Sequence, residues 1–204
     1  MDRLDAVWSF IETGGPVMVP LVAVSIWMWH LILLKAIWLY RVHRNPFKVS
    51  QALKCMEKPG PDSLLGESPR ARALAFFMRI RRFDPLSDRI LWEVAVKREI
   101  FPLKRYMTTL MVLAVVAPLL GLLGTVTGMV DTFRVIGIHG TGNPQAMASG
   151  IKEALITTQT GLMIAIPGLL VGQSLRRRIR DLQGDLMIFY RAVDQWLERR
   201  ETHV

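Results

Sequence analysis

The sequence predicts an all-α membrane protein with three transmembrane helices, the second and third extended into a cytoplasmic helical bundle. Three observations carry this. Apolar residues make up 51% of the chain and the mean hydropathy is +0.29, and they concentrate in three uncharged runs, Pro16 to Leu34, Met107 to Val130 and Ala154 to Leu175. Each run is close to the roughly 20 residues that cross hydrocarbon as a helix. Helical periodicity also continues beyond the second and third runs into polar sequence, where Ile90, Leu91, Val94, Ile100, Phe101, Leu103 and Leu110, and again Leu175, Ile179, Leu182, Leu186, Phe189, Val193 and Trp196, recur at helical spacing.

In chain order, residues 1–15 suit a short periplasmic surface helix with Trp8 at headgroup level, ended by Gly14-Gly15-Pro16. A first span follows over 16–40, with Trp38 and Tyr40 in an interfacial belt. It is expected to be retained, because acidic residues precede it and no small-residue cleavage site follows it. His30 lies inside it. A helix-packing role is favoured over a proton relay, since no acidic residue sits at helical spacing from it. Residues 41–106 form a cytoplasmic helical domain. Helices are expected over Val49 to Lys58 and Pro69 to Arg82, with a break at Lys58-Pro59-Gly60-Pro61. Asp84 then caps a longer helix that begins at Pro85. That helix is expected to run into the second span, 107–135, without a stop, kinked at Pro102 and Pro118. A periplasmic loop at 136–143 leads to Asn143-Pro144, an N-cap and first-turn proline. The third span occupies 144–175, and 176–204 is a cytoplasmic helical tail.

Charge orients these segments. The formal net charge is +9, which raises nucleic-acid binding, but the basic residues flank the apolar runs and follow the topogenic pattern instead. Residues 41–106 carry fifteen Lys and Arg against seven Asp and Glu, and the tail carries seven Arg, whereas 131–152 has only Arg134 and Lys152 as basic residues. The N-terminus and the 136–143 loop are therefore expected in the periplasm and the C-terminus in the cytoplasm. Arg176, Arg177 and Arg178 read first as a stop-transfer anchor and second as a lipid-headgroup site. The lone Cys55 forms no internal disulfide and has no ligand-spaced neighbours, so no metal or cofactor is expected. His30, His43, His139 and His203 are scattered with no nucleophile–base or metal-ligand spacing, which argues against an enzyme.

Two stretches carry chemistry. In the second span, Pro118, Gly121, Thr125, Gly128 and Thr132 share a face at spacings of three and four. Gly124 adds to its small residues. The face suits close packing through a small-xxx-small seam, and equally a pore lining. In the third span, Glu153 heads an uncharged run, where a carboxylate is costly unless it faces protein or water. Glu153, Thr157 and Thr160 share a face, Thr158 lies about 140° round from Glu153, and all four, with Thr125, are expected to line an ion pathway. Gly161 and Pro167 follow as packing positions. Two further readings remain open: Glu153 as a membrane-edge residue paired with Lys152, and the threonines as residues bonded to their own backbone.

The segment APLLGLLGTVTGMVDTF, Ala117 to Phe133, resembles the second span of the ExbB, TolQ and MotA group. GIKEALITTQTGLMIAIPGLL, Gly150 to Leu170, resembles its third. Three spans favour ExbB or TolQ over MotA, and the TTQTGL run looks closer to ExbB. The resemblance implies a homo-pentamer in the bacterial inner membrane. Its pore would hold an ExbD-like dimer and use the proton gradient to energise a TonB-like protein and transport across the outer membrane. Thr125, Glu153 and Thr158 match the polar residues around the pore, while the proton-carrying aspartate is expected on the partner. A TolQ-like role in the Tol-Pal system and a non-conducting scaffold are the alternatives. Membrane lipids, and no nucleic acid, complete the expected partners.

Overall fold

The computed structural model describes residues 2–44, 49–57, 68–82, 84–140 and 144–201. They form seven helices: α1 (Asp2–Thr13), α2 (Met18–Arg44), α3 (Val49–Glu57), α4 (Pro69–Ile80), α5 (Pro85–Lys104), α6 (Met107–His139) and α7 (Pro144–Glu201). No strand occurs among the described residues. Three helical stretches among them are long and apolar enough to cross a membrane. The chain is an all-α membrane protein. The expected break at Lys58-Pro59-Gly60-Pro61 and the Asn143 cap lie outside the described residues.

The chain divides into two compact units. The first comprises 1–33 and 106–173, the second 34–105 and 174–204. In the first, α2, α6 and α7 each present a narrow buried side and a broad exposed apolar side. Leu21, Met28, Ala114, Ala117 and Thr157 are buried, whereas Ile26, Trp27, Leu119, Leu122, Val126, Leu155, Met163 and Leu170 are open. A soluble domain would hide such residues; lipid is a solvent that accepts them. His30 is among the exposed residues.

The second unit has a conventional core. Trp92 of α5 sits edge-on to Phe77 of α4 at 5.4 Å and to Phe189 of α7 at 5.6 Å, and stacks on Tyr190 at 6.3 Å. Its indole N–H donates to the Tyr190 carbonyl at 3.1 Å, so the ring's polar end is satisfied. Around it lie Ala52, Ala73, Leu74, Ala95, Val96, Leu186, Val193 and Leu197. Ion pairs join the same helices: Arg72 to Glu99 at 2.8 Å and Arg89 to Asp194 at 3.2 Å. Arg81 pairs with the buried Asp88 at 2.8 Å, and Asp88 also accepts from the Arg82 backbone N–H. Asp84 accepts from the Ser87 backbone N–H at 3.0 Å, the expected cap. Hydrogen bonding from the Ser87 side chain first, and from its backbone second, holds the Asp84 carboxyl below the usual aspartate range.

One expectation is corrected here. The helix beginning at Pro85 does not run unbroken into the second span. It stops at Lys104, and Tyr106 adopts a left-handed backbone, φ +67°, before α6 restarts. The cause lies in α2. The buried Lys35 ammonium donates to the Pro102 and Leu103 carbonyls at 3.0 and 3.1 Å. In a continuous helix those carbonyls would accept from the N–H groups four residues on. A buried cation needs such partners, and satisfying it ends the helix. Pro118, by contrast, lies inside α6.

Replacing Trp92 with Ala is expected to destabilise the protein by about 3–5 kcal/mol, the usual cost of emptying a large aromatic site. Heat-induced loss of the detergent-solubilised protein would show it, with the midpoint falling well below that of the parent.

Candidate functional site

The seam between α6 and α7 is built from residues too small to hold the backbones apart. A β-carbon at Gly161 would lie 2.8 Å from the Ala117 carbonyl oxygen and 3.2 Å from the Gly121 α-carbon. One at Gly121 would lie 3.1 Å from the Thr157 carbonyl oxygen, and one at Gly128 would lie 2.7 Å from that of Gly150. These neighbours are main chain and cannot swing aside. Gly124 receives the Thr157 side chain, and Gly150 the Thr132 hydroxyl. Without a hydrophobic drive between helices in lipid, this close approach is what joins them.

The seam keeps Gly121, Gly128 and Thr132 of the expected face and takes Ala117 and Gly124 in place of Pro118 and Thr125. Ala117, Gly121, Gly124, Gly128 and Thr132 of α6 are buried in it, while Thr125 is partly exposed beside it. On α7 the seam holds Gly150, Ala154, Thr157 and Gly161. Thr157 is 0% exposed. Thr158 reaches across, donating to the Gly121 carbonyl at 3.0 Å. A straight wheel put Thr157 and Thr160 on one face with Glu153. In the folded chain Thr157 is turned onto Gly124, while Thr160 stays partly exposed.

The hydroxyl protons are all committed. Thr125 donates to the Leu122 carbonyl at 2.7 Å, Thr160 to Ile156 at 2.7 Å, Thr132 to Gly128 at 2.8 Å and Thr157 to Ala154 at 2.9 Å. A hydroxyl that gives its proton to the backbone keeps lone pairs for an outside donor. Partly exposed Thr125 and Thr160 can thus accept from water or from a protonated carboxylic acid.

Glu153 lies ten residues into α7 and is partly exposed, with Lys152 exposed beside it. Among the described residues it makes no ion pair, with Lys152 or any other cation. Its side chain lies instead on Gly15, at the α1–α2 junction, filling the space where a β-carbon would be. Sequence reasoning missed this contact. The double glycine signalled a break, but nothing in its spacing pointed to a partner some 140 residues away. No cluster of three or more metal-ligating side chains occurs among the described residues.

Of the other expected positions, Pro118 and Pro167 lie inside their helices and are partly buried. Pro167 neighbours Gly168, which packs on Met28 of α2, with the Ala114 methyl 3.5 Å from the Gly168 β-position. Arg176, Arg177 and Arg178 are exposed. Arg178 borders a groove with Leu39, Tyr40 and Asp181.

Residues 68–187 match the model of the MotA/TolQ/ExbB proton channel family. The ExbB-like 1 biopolymer transport protein of Synechocystis is 34% identical over 202 residues, covering 91% of this chain and 75% of that protein. The biopolymer transport protein ExbB of Neisseria meningitidis is 29% identical, covering 86% of this chain and 89% of that protein. The Tol-Pal system protein TolQ of Haemophilus influenzae is 31% identical over 116 residues, covering 53% of this chain and 51% of that protein.

Gly161→Ala and Gly128→Ala press a methyl against backbone and are expected to cost about 1–3 kcal/mol each, as overpacking does. Gly137→Ala, with nothing within 4 Å, is expected to be neutral. Thr158→Val removes the one inter-helix hydroxyl bond named above and should cost about 0.6 kcal/mol. Thermal stability of the purified variants ranks them.

Proposed function

Because this chain belongs to the MotA/TolQ/ExbB proton channel family, we propose that it is the inner-membrane subunit of a motor driven by the proton-motive force. The family is transport-associated and not enzymatic, and its ExbB-like members support partners of a membrane complex. The finer reading is a homo-pentamer around an ExbD-like dimer that energises a TonB-like protein. The observation that carries it is the family match over residues 68–187, which contains α6 and the part of α7 that forms the seam.

The chemistry is consistent with that reading. A proton crossing about 100 mV releases about 2.3 kcal/mol. A partner carboxylate entering a wall of Gly, Leu and Thr is favoured when protonated, because burial penalises the charged form. The acid would then donate to the free lone pairs of Thr125 or Thr160. Glu153 supplies an acceptor or relay near the head of α7. Thr157 and Thr158 contribute by holding α7 against α6. The positive-inside pattern favours a periplasmic N-terminus and a cytoplasmic C-terminus, with the basic second unit in the cytoplasm.

A Tol-Pal role is the second reading, supported by the likeness to the Haemophilus TolQ protein. A non-conducting scaffold is the third. Glu153→Gln and Thr125→Val separate a motor from a scaffold. In cells where each variant replaces the parent, Glu153→Gln is expected to lower gradient-dependent uptake about a hundredfold, the lower end of what a positioned proton-transfer group contributes. Assembly with the partner should survive. Unchanged uptake in both variants would sink the motor reading of these residues.

A further inference from the structure

We propose that Gly15 is a positioning residue for Glu153, and that the α1–α2 junction is a strap holding the Glu153 carboxyl in place. This rests on the reading of Glu153 as part of the proton route.

Three observations meet at the junction. Gly15 has φ +68°, a backbone that L side chains rarely adopt. The Glu153 side chain lies across its α-carbon, with Cγ 3.2 Å from where a β-carbon would stand. Gly14 is seated one turn further along the same face of α7, its β-position 3.4 Å from Ile156 Cγ2. The strap is anchored at both ends. The Gly14 and Gly15 N–H groups donate to the Phe10 and Glu12 carbonyls of α1, and the Met18 N–H donates to the Gly15 carbonyl. Val17, Met18 and Leu21 are buried immediately after it.

Among the described residues no ion pair holds Glu153, and the strap supplies packing against its side chain. Any side chain at position 15 displaces the carboxyl. The strap also links α1, with Trp8 exposed, to the one acidic residue within the third span's polar stretch. A shift of α1 would move Glu153 or uncover it.

The test uses the full chain with its partner subunits in native membranes. A fluorescent carbodiimide, which reacts with protonated carboxyls in apolar surroundings, reports on Glu153, quantified by mass spectrometry of its peptide. Gly15→Ala is expected to raise labelling several-fold and to lower gradient-dependent uptake roughly tenfold, within the range a 1 Å misplacement produces. Gly15→Asn tolerates the left-handed backbone, so it separates displacement of Glu153 from strain, and should behave alike at parental abundance. Adding Glu153→Asp, whose carboxyl is one methylene shorter, to Gly15→Ala should restore uptake to the level of Glu153→Asp alone. Gly137→Ala is the control. Parental labelling in both Gly15 variants overturns the proposal, whatever uptake does. If Glu153→Gln itself leaves uptake intact, the proton-route reading fails, while the labelling still decides whether the strap places Glu153.

Discussion

Two backbones in contact along α6 and α7 are the constraint on which the first unit depends. Gly121 against Gly161 and Gly128 against Gly150 leave no room for side chains. In lipid, apolar side chains gain nothing by leaving one apolar medium for another. Helix association must come from close approach and from polar groups with nowhere else to go. The seam supplies both. Its glycines admit the backbones, and its threonines return their protons to carbonyls. A seam so closed cannot conduct by itself. The proposed proton route is accordingly placed beside it, where Thr125, Thr160 and Glu153 are partly exposed.

The second unit obeys different rules. Its aromatic core, with Trp92 buried among three rings, is that of a water-soluble domain. Lys35 shows how one residue reconciles the two regimes within α2. A cation at the end of an apolar run must find acceptors, and the Pro102 and Leu103 carbonyls are the ones it takes. The ammonium is satisfied and α5 is ended in the same act. Pro102 then looks less like a kink in a long helix than like part of a designed terminus, since its missing N–H already weakens the last turns.

Much of this was legible in the residues. Three long apolar helices, the Asp84 cap, the helices of the polar connection and the small-residue character of the seam follow from local pattern. The register of the seam did not. A wheel at 100° per residue ranks faces only within one helix, and Thr157 and Thr158 both lie near the contact. Which of them is buried is decided by Gly124 on another helix. The end of α5 was hidden for the same reason: its cause, Lys35, lies about 70 residues earlier.

Glu153 is where these limits converge. Its charge suggests a site, and its helix suggests neighbours at 157 and 160. Its actual neighbour is a glycine in a turn that sequence reads as mere punctuation. Among the described residues no ion pair holds this carboxylate, and its side chain lies on Gly15, so its position is as soft as the strap that confines it. On the proposal that Glu153 takes part in the proton route, that softness matters, because a group held by shape can move with the segment that holds it. An ion pair would tie the side chain to one partner, whereas packing against Gly15 ties it to the geometry of a turn.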